Sequence, residues 1–110
     1  MHTKSPLLDE LFGALANAKR RDMLHLLALH PATVKQLADR HGLSLPAMHK
    51  HIQVLEEAKL ILRKKVGRTN FIALNRSSLK LVQTWAMQYR TDWGNDQESL
   101  ENYIVALMRE

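Results

Sequence analysis

Residues 33–58 read TVKQLADRHGLSLPAMHKHIQVLEEA, and this stretch decides the fold. Thr33 and Gln36 stand three apart, the spacing at which a threonine hydroxyl and a glutamine amide satisfy each other's free backbone donors at a helix start. Val34, Leu37 and Ala38 then recur at helical spacing, and Gly42 supplies the stop. A helix over roughly 33–41 follows. Ser44 caps the next helix, and Pro46 is harmless in a first turn whose N–H groups lack helical partners anyway. Two helices joined by a short turn containing glycine form a helix-turn-helix.

In the second helix of the pair, at about 100° per residue, Met48, Ile52 and Leu55 share one stripe with His51 and Ala58 beside it. Pro46, His49, Lys50, Gln53 and Glu57 point away, so the outward face is polar. From Leu60 the periodicity changes. Residues 61–66 and 69–74 flank Gly67-Arg68, and glycine first in a two-residue loop is the mark of a type II′ hairpin.

Upstream, Leu7, Leu8, Leu11, Phe12 and Leu15 follow Pro6 at helical spacing and predict a first helix. Asn17 caps a second, carrying Met23, Leu24, Leu26 and Leu27 and ended by His30-Pro31. Downstream, Ser77 opens a helical region in which Leu79, Val82, Ala86, Tyr89, Trp93, Leu100, Ile104 and Leu107 keep a three-four alternation. A seam that long meets another helix. Gly94-Asn95-Asp96 interrupts it, as a kink or as a break between two helices. The expected architecture is mainly α with a small β-hairpin, a winged helix-turn-helix in the order α-α-α-α-β-β-α. It forms a single domain over 1–110, with 77–110 as a C-terminal helical dimerisation region.

Composition agrees with one core: 110 residues, 45% of them hydrophobic, leave no room for a second. Lys and Arg number 16 against 11 Asp and Glu, which favours a polyanionic partner. The excess sits in the middle third, where 44–76 holds seven basic and two acidic residues and 60–76 holds no acid at all. The absence of cysteine removes disulfides, thiolate metal sites and thiol nucleophiles. The apolar patch after Pro6 is broken by Asp9 and Glu10, so neither signal peptide nor membrane span is expected and the location is cytoplasmic.

A polar helix beside a basic hairpin suits double-stranded DNA. Ser44, Pro46, Ala47, His49, Lys50, His51 and Gln53 would face the major groove, where lysine donates to guanine and glutamine pairs with adenine. Arg68 at the hairpin tip would enter the minor groove while Lys64, Lys65 and the Thr69 hydroxyl address phosphates. The plainer readings are a solvated surface helix and a charged edge that deters strand pairing. The order of the elements favours DNA.

Over nearly its whole length the chain resembles the ArsR-type (SmtB/ArsR-like) family of bacterial winged-helix repressors. The resemblance rests on 15–24 (LANAKRRDML), 44–52 (SLPAMHKHI), 54–58 (VLEEA) and Gly67-Arg68 before an aromatic strand. It implies dimerisation through the first and last helices, here by Leu7, Leu8, Leu11, Phe12, Val82, Trp85, Tyr89, Trp93, Leu100, Ile104 and Leu107. It also implies repression of the chain's own promoter until an effector, small molecule or protein, weakens DNA binding. Two departures matter. Lys59 stands where the family has glycine after the recognition helix, at a cost of about 1 kcal/mol if left-handed, which predicts a remodelled helix end. His49 replaces a small serine, so the target sequence does not carry over.

Metal-sensing members use cysteines in the third helix or carboxylates and histidines in the last. Here Val34-Lys35-Gln36-Leu37 replaces the thiolate site, 77–110 has no histidine, and no two of the six histidines are four apart. No metal or other cofactor is expected; a non-cysteine site between helices or subunits is the metal-responsive alternative. His51 reads as a packing or phosphate-contacting residue, and His25, His30 and His41 as surface or helix-end residues. Trp85 and Trp93 read as interface rather than a ligand box. No catalytic spacing occurs, so no enzyme is expected. The expected function is a homodimeric, sequence-specific repressor on a palindromic operator with half-sites about one turn apart. The competing class is a protein-interaction module whose aromatic C-terminal seam captures a partner; single-stranded RNA binding ranks third, with only Phe71 to stack on.

Overall fold

The computed structural model describes residues 6–89 and 95–109. Its elements are α1 (Pro6–Leu15), α2 (Ala18–Leu29), β1 (Ala32–Thr33), α3 (Val34–His41), α4 (Leu45–Glu57), β2 (Ile61–Val66), β3 (Thr69–Leu74), α5 (Arg76–Met87) and α6 (Asp96–Met108). The helix ends follow the local chemistry expected of them. Asn17 accepts from the Arg20 N–H, Thr33 and Gln36 form a complete capping box, Gly42 closes α3 at φ +63°, and Ser44 accepts from the Ala47 N–H. Each such cap is worth about 1 kcal/mol, enough to fix boundaries but not to hold helices together.

Packing does that. Leu11, Met23, Leu27, Leu37, Met48, Ile52, Leu55, Leu60 and Ile72 are fully buried in one apolar cluster. From α4 alone Met48, Ile52 and Leu55 enter it, each contributing about 1.5–3 kcal/mol of burial. That stripe fixes the rotation of α4 and therefore which of its residues remain outside.

Two elements differ from the sequence reading. β1 joins the hairpin into a three-stranded antiparallel sheet of order β1-β3-β2, through Ala32↔Ile72 and Thr33↔Phe71. A two-residue strand has no period to detect; only its partner makes it a strand. The C-terminal region contains separate helices, since α6 starts at its own capping box, with Asn95 and Glu98 exchanging hydrogen bonds of 2.9 Å. α5 begins at Arg76, just before the expected Ser77.

The dimer expectation needs one correction here. Leu8 and Leu11 are 7% and 0% exposed: their side chains fill the core of their own chain and leave no surface for a second copy. Trp93 lies outside the described residues.

The end of α4 is not remodelled. Lys59 takes φ +58°, its N–H donates to the Glu56 carbonyl (2.9 Å) and the Leu60 N–H donates to that of Leu55 (3.0 Å), the paired bonds of a Schellman turn. Leu55 and Leu60, both fully buried, supply its apolar contact. The Lys59 carbonyl accepts from the Asn75 amide (2.9 Å) and from the Ser78 hydroxyl. A left-handed lysine costs about 1–2 kcal/mol, less than burial of either leucine at its upper range, so the strain persists. Lys59→Gly is expected to raise the unfolding free energy by about 1 kcal/mol, read as a higher urea midpoint at unchanged m; an unchanged or lower midpoint would refute the strain.

Candidate nucleic-acid interface

α4 leaves an exposed strip. Ser44, Pro46, His49, Lys50 and Gln53 are exposed, Ala47 and His51 partly so. With 13 residues the helix is about 20 Å long, and a major groove admits one. The Ser44 oxygen is committed to the Ala47 N–H at 3.2 Å, yet its O–H stays available to donate. Leu45, 48% exposed beside this strip, is an apolar neighbour of the kind that meets a thymine methyl.

The wing is the β2–β3 hairpin, paired from Ile61↔Leu74 to Val66↔Thr69. Gly67 takes φ +62°, and among described non-glycine residues only Lys59 has positive φ, which fits the II′ turn and puts Arg68 at the tip. Lys64 and Lys65 are both exposed, but successive strand residues face opposite ways. Lys65, opposite Asn70, shares the face of buried Ile72; Lys64, opposite Phe71, shares the outer one.

Not every cation in the basic segment is free to meet a polyanion. Arg63 donates twice to the Glu56 carboxylate, at 2.7 and 3.0 Å, joining β2 to α4. Arg76 caps α2 through the Ala28 carbonyl at 2.9 Å. The side chains of Lys50, Lys64, Lys65 and Arg68 have no hydrogen bond or ion pair with any described residue. Lys50 on α4 and three cations of the wing are therefore uncommitted among the described residues, and Arg68 lines a cleft with Leu45 and His49 of α4.

Sequence reading missed two features. Thr33, Lys35 and Asn70 join Leu45, His49, Arg68 and Thr69 around one cleft between α3, α4 and the wing tip; the signal was present in Lys35, but only β1 pairing brings it beside Arg68. Arg20 is the second. It donates to the Ala14 and Gly13 carbonyls (2.8 and 3.2 Å), closing α1, and its Nη1 lies 3.3 Å from His51 Nδ1. His51 therefore accepts through Nδ1 and presents its other nitrogen as an N–H. His41 similarly ties α3 to α2, with Nδ1 donating to the Leu37 carbonyl and Nε2 2.8 Å from Asp22. Among the described residues no three His, Asp or Glu side chains gather closely enough to hold a metal ion, and no helix is long and apolar enough to cross a membrane.

Burial, then the positive charges of Arg20, Lys19 and His41, hold the His51 pKa below its ordinary 6.5. The unfolded chain thus takes up this proton first as pH falls, so the folded state loses stability from about pH 6.5 down through the lowered value. His51→Gln keeps an acceptor for Arg20 but does not titrate. The fall in urea midpoint between pH 7 and 5.5 is expected to be smaller in this variant than in the wild type; equal falls would refute the assignment.

A family profile described as a helix-turn-helix domain matches residues 15–63. The HTH-type transcriptional regulator Rv2034 of Mycobacterium tuberculosis is 32% identical over 69% of this chain and 71% of its own length. The transcriptional repressor SdpR of Bacillus subtilis is 25% identical over 81% of this chain and 99% of its own. In the solved structure of the ArsR family transcriptional regulator RHA00566, the match has TM-score 0.73 and 33% identity, covering 83% of this chain and all of that one. With its winged helix-turn-helix fold and that degree of likeness to RHA00566, the chain belongs to the ArsR family of transcriptional regulators.

Proposed function

We propose that the chain represses transcription as a homodimer, binding a palindromic operator in double-stranded DNA, in the cytoplasm and without a catalytic step or a metal cofactor. The observation that carries this reading is the pairing of two surfaces: the polar exposed strip of α4 and, beside it, a wing whose Lys64, Lys65 and Arg68 side chains have no partner among the described residues. On a solvated surface unpaired cations of one sign repel one another; against a phosphate backbone each releases a counterion. His49, Lys50 and Gln53 are the base-reading candidates, with Ser44, Pro46, Ala47, His51 and Thr69 around them. Repression, rather than activation, is carried over from the likeness to SdpR.

The homodimer is argued from apolar surface. Phe12, Trp85 and Tyr89 form a ladder of edge contacts from α1 onto α5, with ring centroids 4.9 and 5.0 Å apart, and Phe12 and Tyr89 remain exposed. Leu7 and Val82 lie partly buried below. α6 buries none of its residues although Leu100, Tyr103, Ile104 and Leu107 form one stripe. A helix of this length is marginal alone in water; a second copy covering α1, α5 and α6 supplies the missing burial. The region 77–110 thus serves as the dimerisation region of a single DNA-binding domain.

Footprinting on the DNA upstream of the chain's own gene is expected to protect two half-sites about one helical turn apart; no preference over competitor DNA at moderate salt would refute specific repression. Lys65→Gln and Arg68→Gln are each expected to weaken binding to all sequences and to flatten the dependence of log Kobs on log salt by about 0.9 per half-site, whereas an unchanged slope removes that residue from the interface. Ile104→Glu is expected to shift the sedimenting species from dimer to monomer and to lose operator binding; a dimer that persists would exclude α6 from the interface.

A further inference from the structure

The cleft between α3, α4 and the wing tip has a volume of about 440 Å³, within the ~300–1,000 Å³ range of small-molecule sites. Its lining argues for a different occupant. Lys35, His49 and Arg68 project into its walls with Thr33, Thr69 and Asn70, and no carboxylate is among the lining residues. Three cationic or protonatable residues, from α3, α4 and the wing tip, line one concavity, a distribution of charge suited to an anion.

Lys35 is placed against the interest of its own helix. It lies in the first turn of α3, where the positive end of the helix dipole disfavours a cation by about 0.3–1 kcal/mol. Among the described residues its partner is Asp39, 3.3 Å away, the two side chains being 77% and 68% exposed, a pair of small net worth. No contact among the described residues therefore calls for a lysine here, while an anion in the cleft would. His49 adds a conditional charge. The groups facing it across the cleft are Lys35 from α3, with Asp39 behind it, and Arg68 from the wing; on α4 its charged neighbour is Lys50.

We infer that this cleft seats one phosphodiester of the DNA backbone, clamped by Lys35, Arg68 and a protonated His49, so that each half-site takes up a proton as it binds. The inference rests on the DNA-binding reading and deepens it. It adds α3 to the interface and makes His49 a backbone contact rather than a base reader. The phosphate clamps the space between the recognition helix and the wing, fixing the depth at which α4 lies in the groove. Histidine changes charge between pH 5 and 8, and an anion held against the ring favours the charged form. The operator affinity of the folded protein therefore rises as pH falls, through proton uptake on binding.

The test compares the dimer with Lys35→Gln and His49→Gln, each variant checked for folding by circular dichroism, on one operator fragment. For Lys35→Gln the slope of log Kobs against log salt is expected to flatten by about 0.9 per half-site. For His49→Gln the slope of log Kobs against pH between pH 8 and pH 6 is expected to shrink by up to one proton per half-site, with the Lys35→Gln slope retained in part. Either slope staying at the wild-type value while the operator is still bound overturns the inference. Proton NMR of the His49 ring separates the sources of the anion: operator DNA is expected to shift its resonance, and a ring that responds to millimolar inorganic phosphate but not to DNA makes the cleft a free-anion site and also overturns the proposal. If the wild type binds no DNA at any pH, it is the DNA-binding reading that fails.

Discussion

The whole arrangement turns on the joint at Lys59 and Leu60. The backbone reverses hand at Lys59, drops Leu60 into the core and starts β2 at once. Three bonds from the start of α5 hold it: the Asn75 amide and the Ser78 hydroxyl to the Lys59 carbonyl, and the Asn75 N–H to the Leu60 carbonyl at 2.8 Å. α4, the wing and α5 thus leave one point. Because α4 is rotated by Met48, Ile52 and Leu55 and terminated here, the angle between its exposed strip and the wing is fixed by the same few buried side chains. The chain tolerates a strained lysine at this point because unmaking the turn would expose two leucines, at greater cost.

The charged side chains divide into those that build and those that are left over. Arg20 and Arg21 close α1 on the carbonyls of Gly13, Ala14 and Leu15, Arg76 closes α2, and Arg63 binds Glu56. Arginine serves all four because its planar fork meets oxygen acceptors at fixed geometry and keeps its charge. The free cations of the wing and of α4 are mostly lysines. These are flexible point charges that cost little to leave in water, which suits the phosphate contacts proposed for them.

The apolar surface divides in the same way. The core is complete within one chain around α1 to α4 and the sheet, while α5 and above all α6 carry aliphatic and aromatic side chains that the chain does not cover. In the function proposed, the complete part is the one that meets DNA and the incomplete part is the one that a second copy would finish. Such a division would let two copies be set at a fixed spacing by contacts remote from the proposed DNA-binding surface of either.

Caps, turns and periodicities are local, and the sequence alone determined them: Thr33 with Gln36, Gly42, Ser44, Gly67-Arg68 and the Met48–Ile52–Leu55 stripe each act within a few residues, so their consequences are legible without a fold. The winged helix-turn-helix order and the exposed face of α4 followed from them. Only the tertiary structure decided what depends on distant partners. β1 exists because β3 pairs with it, Leu8 and Leu11 belong to the core because α2 and α4 cover them, Lys59 stays left-handed because α5 holds its carbonyl, and Lys35 meets His49 and Arg68 because three elements converge there. The physical reason is range: backbone hydrogen-bond demand is settled by neighbours in the chain, whereas burial and charge proximity are settled by residues whose separation in sequence carries no signal of their separation in space.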